Sequence, residues 1–166
     1  KTHWLDRRQA DILDEVGSRI AARHVYMTSV SADYRKAIIY AESPDLPGRY
    51  YLFEPGANKL QYFAYAYSSL EKQPMAPMRA TTYAARDGLK IPAFISLPPG
   101  MAGKPASSLP AVILPHGGPE SRDFSSYDPL VQLLTSRGYA VLQMNFRGSS
   151  GYGAEFRQAG ARQWGQ

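Results

Sequence analysis

Apolar residues recur at helical intervals in DRRQADILDEVGSRI, residues 6–20, where Ile12, Leu13, Val16 and Ile20 share one face and charges occupy the other. The spacing predicts a short amphipathic helix that Gly17 weakens near its end. The period then drops to two. RHVYMTSVSADYRKAIIYAESP, residues 23–44, reads as two strands about the polar turn Ser31-Ala32-Asp33. GRYYLFEPGANKLQYFAYAY, residues 48–67, reads as two more about Glu54–Asn58, with Pro44, Pro47 and Gly48 punctuating the middle.

The pattern changes again after a stretch without a clear period, EKQPMAPMR at 71–79, which reads as a linker. RATTYAARDGLKIPAFISLPPG predicts a hairpin about the two-residue turn Asp87-Gly88, and MAGKPASSLP a loop. AVILP, from Ala111, is a continuously apolar strand of the kind buried on both faces in a parallel sheet. In SYDPLVQLLTSRG, Asp128 is the N-cap, Pro129 the first helical residue and Gly138 the residue past the C-cap, with Leu130, Leu133 and Leu134 as the apolar stripe. YAVLQMNF is a second buried strand, so the order strand–helix–strand predicts a right-handed parallel crossover.

The fold class expected is therefore mixed. Residues 1–78 carry up to four short antiparallel strands, about one blade of a β-propeller, and residues 79–166 form an α/β piece. The aromatics Tyr50, Tyr51, Phe53, Tyr62, Phe63, Tyr65 and Tyr67 allow an exposed binding platform, but strand spacing favours core and inter-sheet packing.

Composition narrows the chemistry. Zero cysteines exclude disulfides, thiolate metal sites and a cysteine nucleophile, and leave a cytoplasmic or periplasmic home equally open. No apolar run reaches membrane-spanning length. The net charge of +5 comes from basic pairs such as Arg7-Arg8 and Arg35-Lys36 separated by acids, which argues against a nucleic-acid partner. The three histidines, at 3, 24 and 116, form no metal-ligand spacing, and no cofactor motif is present: the glycines of GSSGYG run in the reverse order for a dinucleotide fingerprint.

One stretch carries chemistry. The predicted strand from Ala111 runs into His116-Gly117-Gly118-Pro119 at the edge of the sheet where α/β folds bind ligands. Glycines there let backbone amides converge on an anionic oxygen, and proline stiffens the exit. A tight structural turn explains the same residues, and local physics leaves both open.

Residues 109–165 resemble the prolyl oligopeptidase family of serine peptidases, above all its acylaminoacyl-peptidase and dipeptidyl-peptidase-like branch. HGGP followed by SRGYAVLQMNFRGSSGYG carries the likeness; ARDGLKIPAFISLPPG resembles the lead-in to that family's hydrolase domain. The strand-rich 23–70 segment is similar to the last blade of the preceding propeller. The resemblance implies a propeller end followed by the first part of an α/β-hydrolase domain. It also implies a short peptide substrate, an acyl-enzyme route, no cofactor, and an oxyanion donated to by the backbone N–H of Gly118. Gly117 and His116 would then shape the loop. The resemblance also implies that the NFRGSSGYG loop lies near the same site and supports its walls, with Asn145 and Arg147 as the polar candidates for substrate contact and a structural salt bridge as the other reading of Arg147.

The triad itself is missing. No G-x-S-x-G elbow occurs, Ser150 in GSSGYG lacks the second glycine at the required place, and every histidine precedes the position a nucleophile would take. The start Lys1-Thr2-His3-Trp4 and the end QAGARQWGQ suggest an excised piece. The expectation is an inactive fragment that needs the remainder of its hydrolase domain to cover its apolar strand, with homo-oligomerisation open. A carboxylesterase and a non-catalytic propeller-derived binding module are the alternatives.

Overall fold

The computed structural model describes residues 6–101, 107, 109–118 and 120–163. The chain packs as two compact units, Lys1–Pro74 and Met75–Gln166.

In the first unit, helix α1 (Arg7–Gly17) starts where Asp6 accepts a hydrogen bond from the Arg8 N–H at 2.9 Å. Strands β1 (His24–Val30), β2 (Ala37–Ser43), β3 (Leu46–Glu54) and β4 (Lys59–Tyr65) follow. They form one antiparallel sheet in chain order, a meander. Ile12, Val16 and Ile20 meet Ala37, Ile39, Ala41 and Phe53 on one face of that sheet. Removing these side chains from water is the main stabilising term for the unit.

The opposite face carries a cross-strand ladder. Tyr26 pairs with Tyr40 and Tyr40 with Tyr50, ring centroids 6.3 and 5.0 Å apart. The expectation that the aromatics are core holds for Phe53, which is fully buried, while Phe63 is 65% exposed and Tyr62 and Tyr67 are exposed too. Period-two alternation assigns residues to two faces, and in this unit α1 covers only one of them.

The second unit holds β5 (Met78–Ala84), β6 (Lys90–Ser96), β7 (Ala111–Ile113), helix α2 (Pro129–Ser136), β8 (Ala140–Met144) and the short helix α3 (Ala154–Gln158). Its sheet runs β5-β6-β8-β7, antiparallel except for the β7–β8 pair. The β7–α2–β8 crossover is the predicted parallel one.

Three local expectations change. The β5–β6 turn is closed by Ala85 N–H to Leu89 O at 2.8 Å, enclosing Arg86, Asp87 and Gly88 where the sequence predicted two residues. Residues 71–79 are not all linker: Ala76 is buried, and the Gln132 side chain bonds both its N–H and its C=O at 2.8 and 2.9 Å. Helix α2 begins on Asp128, whose carboxylate accepts from the Leu130 and Val131 N–H groups, but it buries Val131, Gln132 and Thr135. Leu130 and Leu133, expected on its apolar stripe, are exposed. One expectation stands as made: β7 sits at the sheet edge beside β8 alone, with Ile113 62% exposed, the uncovered apolar strand that the sequence predicts for this piece.

Candidate active site

Leu114 still donates to Leu142 O at 2.9 Å, so the chain leaves the sheet just before His116. The His116 ring lies flat on Phe146, with centroids 4.4 Å apart and planes 16° from parallel. Its Nδ1 is 2.9 Å from Gly117 O and its Nε2 is 2.9 Å from Ser149 Oγ. A carbonyl only accepts, so Nδ1 carries the hydrogen of that bond. Ser149 is fully buried and its hydroxyl donates to Phe146 O at 2.6 Å.

This arrangement sets the direction of one peptide plane. Gly117 C=O and Gly118 N–H belong to the same planar unit, so holding the carbonyl toward His116 turns the N–H the other way. Gly118 has φ +133°, and a Cβ on it would come within 2.8 Å of Ser121 N; both conditions require glycine. Gly118 is exposed, and among the described residues its N–H has no acceptor. An exposed, oriented, unused amide is what a developing oxyanion needs. Pro119 lies outside the described residues.

The chain beyond Gly118 is held by the same second loop. Ser150 N–H donates to Ser121 O at 3.0 Å. Asp123 N–H donates to Asn145 Oδ1 at 2.7 Å, and Asn145 Nδ2 donates to Asp123 O at 3.2 Å and to Tyr152 Oη at 2.7 Å. Asn145 is fully buried, and its amide ties loop to loop. The alternation of buried Val141 and Gln143 along β8 continues to it, a signal already present in the sequence. The 116–126 and 145–153 segments are thus one interlocked structure, and the turn carrying Gly118 is suspended between two anchored ends.

Arg147 points elsewhere. Its Nη2 lies 2.8 Å from each carboxylate oxygen of Asp87 in the β5–β6 turn. That hydrogen bond, with a second from Leu89 N–H, holds the Asp87 carboxyl below the ordinary carboxylate range. Asp123 shifts the other way. Burial raises its carboxyl, the neighbouring His116 opposes the shift, and Asp128 adds to it. Among the described residues its buried Oδ2 has no hydrogen-bond partner.

Within NFRGSSGYG the sequence singles out Asn145 and Arg147 but not Phe146, Ser149 or Tyr152. Ser149 acts through His116, 33 residues away, which periodicity cannot report. Among the described residues no three His, Asp or Glu side chains converge as metal ligands, and no helix is long and apolar enough to cross a membrane.

Residues 125–166 match the sequence profile of the prolyl oligopeptidase family. The chain is 34% identical over 144 residues to dipeptidyl aminopeptidase BIII of Pseudoxanthomonas mexicana, covering 84% of this chain and 21% of that protein. It is 32% identical to dipeptidyl peptidase family member 6 of Caenorhabditis elegans with the same coverage. A puromycin-hydrolyzing peptidase from Mycobacterium tuberculosis superposes with a TM-score of 0.59 at 26% identity, over 84% of this chain and 22% of that one. The acylaminoacyl peptidase of Pyrococcus horikoshii, 24% identical over 83% of this chain and 21% of its own, shares the fold with a TM-score of 0.56. The chain thus spans about a fifth of the length of these relatives.

Proposed function

From a chain that matches the prolyl oligopeptidase family and whose relatives are serine peptidases, we propose that it is part of an enzyme hydrolysing short peptides through an acyl-enzyme. Gly118 supplies one backbone donor to the tetrahedral oxyanion; serine, aspartate and histidine of the triad come from the remainder of the hydrolase domain. The four-stranded meander is the end of a propeller and the β5–α3 unit the start of the hydrolase domain, with the boundary near Met78. By itself the chain is inactive.

The observation that carries this reading is the Gly118 N–H: exposed, without an acceptor among the described residues, and oriented by a peptide plane that His116 holds. His116 and Gly117 shape the loop. Asn145 supports it from behind through Asp123, and Arg147 anchors the second loop to Asp87. A turn that served only to reverse the chain would have no need of such double anchoring.

The test is Gly118→Ala in the full-length enzyme, read on peptide nitroanilides and nitrophenyl esters. Displacing the donor is expected to lower kcat on the order of 10²–10³ with KM little changed, the loss typical of one oxyanion contact. A variant with wild-type kcat overturns the assignment. Ester turnover without peptide turnover by the wild type would favour a carboxylesterase instead.

A further inference from the structure

Arg122 lies one residue past Ser121, the residue whose backbone closes on Gly118, and the oxyanion chemistry makes no use of it. Its guanidinium carbon is 4.4 Å from the centroid of Phe124 and 5.9 Å from that of Tyr152. The head of the side chain occupies the space that Gly151, at φ +84°, leaves by lacking a Cβ; any side chain at 151 would overlap Nη1. The Phe124 ring lies against the guanidinium, the Tyr152 ring stands farther off, and the glycine admits the head of the side chain.

The edges of the group are unused. Among the described residues, no carboxylate lies within ion-pair distance of Arg122 and no acceptor takes its side-chain N–H groups. In the same unit Arg147 has Asp87 and Arg157 has Glu120. A guanidinium seated beside an aromatic ring in the space left by Gly151 and open at its donor edge matches a planar anion, since its rigid fork presents two N–H groups to two oxygens.

We propose that Arg122 is a specificity-determining residue that takes a carboxylate of the peptide substrate beside the oxyanion turn. The proposal rests on the peptidase reading above. Two sources offer the same chemistry: the free C-terminus of a short peptide, or an acidic side chain.

The experiment uses the full-length enzyme and two substrate pairs: a short peptide as free acid against its C-terminal amide, and a Glu-containing peptide against its Gln counterpart. The readout is the ratio of kcat/KM within each pair. The wild type is expected to prefer the carboxylate member of one pair by about tenfold, the scale of one charge-assisted contact, and the pair that responds identifies the source. Raising the salt concentration should shrink that ratio in the wild type, a check that needs no variant. Arg122→Met should bring the ratio near one, and Arg122→Lys, which keeps charge but not the fork, should leave an intermediate value.

No preference in either pair overturns the proposal, as does a ratio that Arg122→Met leaves unchanged while both rates fall. The second result would make Arg122 only a clamp between the two loops. Absence of peptide turnover by the wild type is a different failure, which removes the peptidase reading and this proposal together.

Discussion

Gly117 and Gly118 share one peptide plane, and the His116 Nδ1 bond to Gly117 O at 2.9 Å decides which way it faces. This makes a prediction at the scale of single atoms. His116→Phe keeps the stacking on Phe146 but has no donor, so kcat should fall by about two orders of magnitude while KM stays near wild type, as for other lost oxyanion geometry. His116→Asn places an amide N–H near the Nδ1 position and should recover part of the loss. Equal rates for the Phe variant and the wild type would show that the plane is held by something else. At this scale the sequence identified Gly118, because a positive φ and a close backbone approach admit little other than glycine. It left Arg147 between two readings, and the Asp87 partner that separates them lies sixty residues away.

The helix α2 shows what an element reveals locally and what it does not. Its start on Asp128 and Pro129 and its exit through Gly138 at φ +90° were legible, since caps depend on neighbours within one turn. Removing the cap with Asp128→Ala should lower stability by about 1 kcal/mol, measurable as a shift of the denaturant midpoint at unchanged slope. An unaltered midpoint would mean the cap is redundant. The buried face was not legible. Three leucines suggested it, yet the helix turns Val131, Gln132 and Thr135 inward, and Gln132 spends its amide on Ala76. Hydrophobicity ranks faces by composition, whereas packing chooses the face that a partner strand and a buried amide can satisfy. For β7 the sequence reading was nearer, since it expected an apolar strand whose neighbour is not among these residues, and Ile113 stands open at that edge.

For the molecule as a whole, the open edge beside β7, the outer leucines of α2 and the aromatic face of the first unit are exposed apolar features among the described residues. Rings and strands in such positions favour association. Residues 1–166 produced alone are expected to form oligomers or aggregates, and Ile113→Lys should shift the population toward monomer by placing charge on the edge. Light scattering during size exclusion measures both; a monodisperse monomer for the unaltered chain would contradict the expectation. The full-length enzyme should be indifferent to dilution if its remaining strands cover that edge.

Local interactions were readable from the sequence: the helix and strand periods, the caps and the turn glycines. Each depends on residues close in the chain or on a backbone conformation that few residue types tolerate, whereas the joint occurrence of HGGP and NFRGSSGYG was legible only through the family resemblance. Only the tertiary structure decided why those two motifs occur together. Asn145, Ser149 and Ser150 grip the chain on both sides of Gly118, and Arg147 ties their loop to Asp87. Those bonds join residues far apart in sequence, and their geometry exists only after β7 and β8 have paired in register.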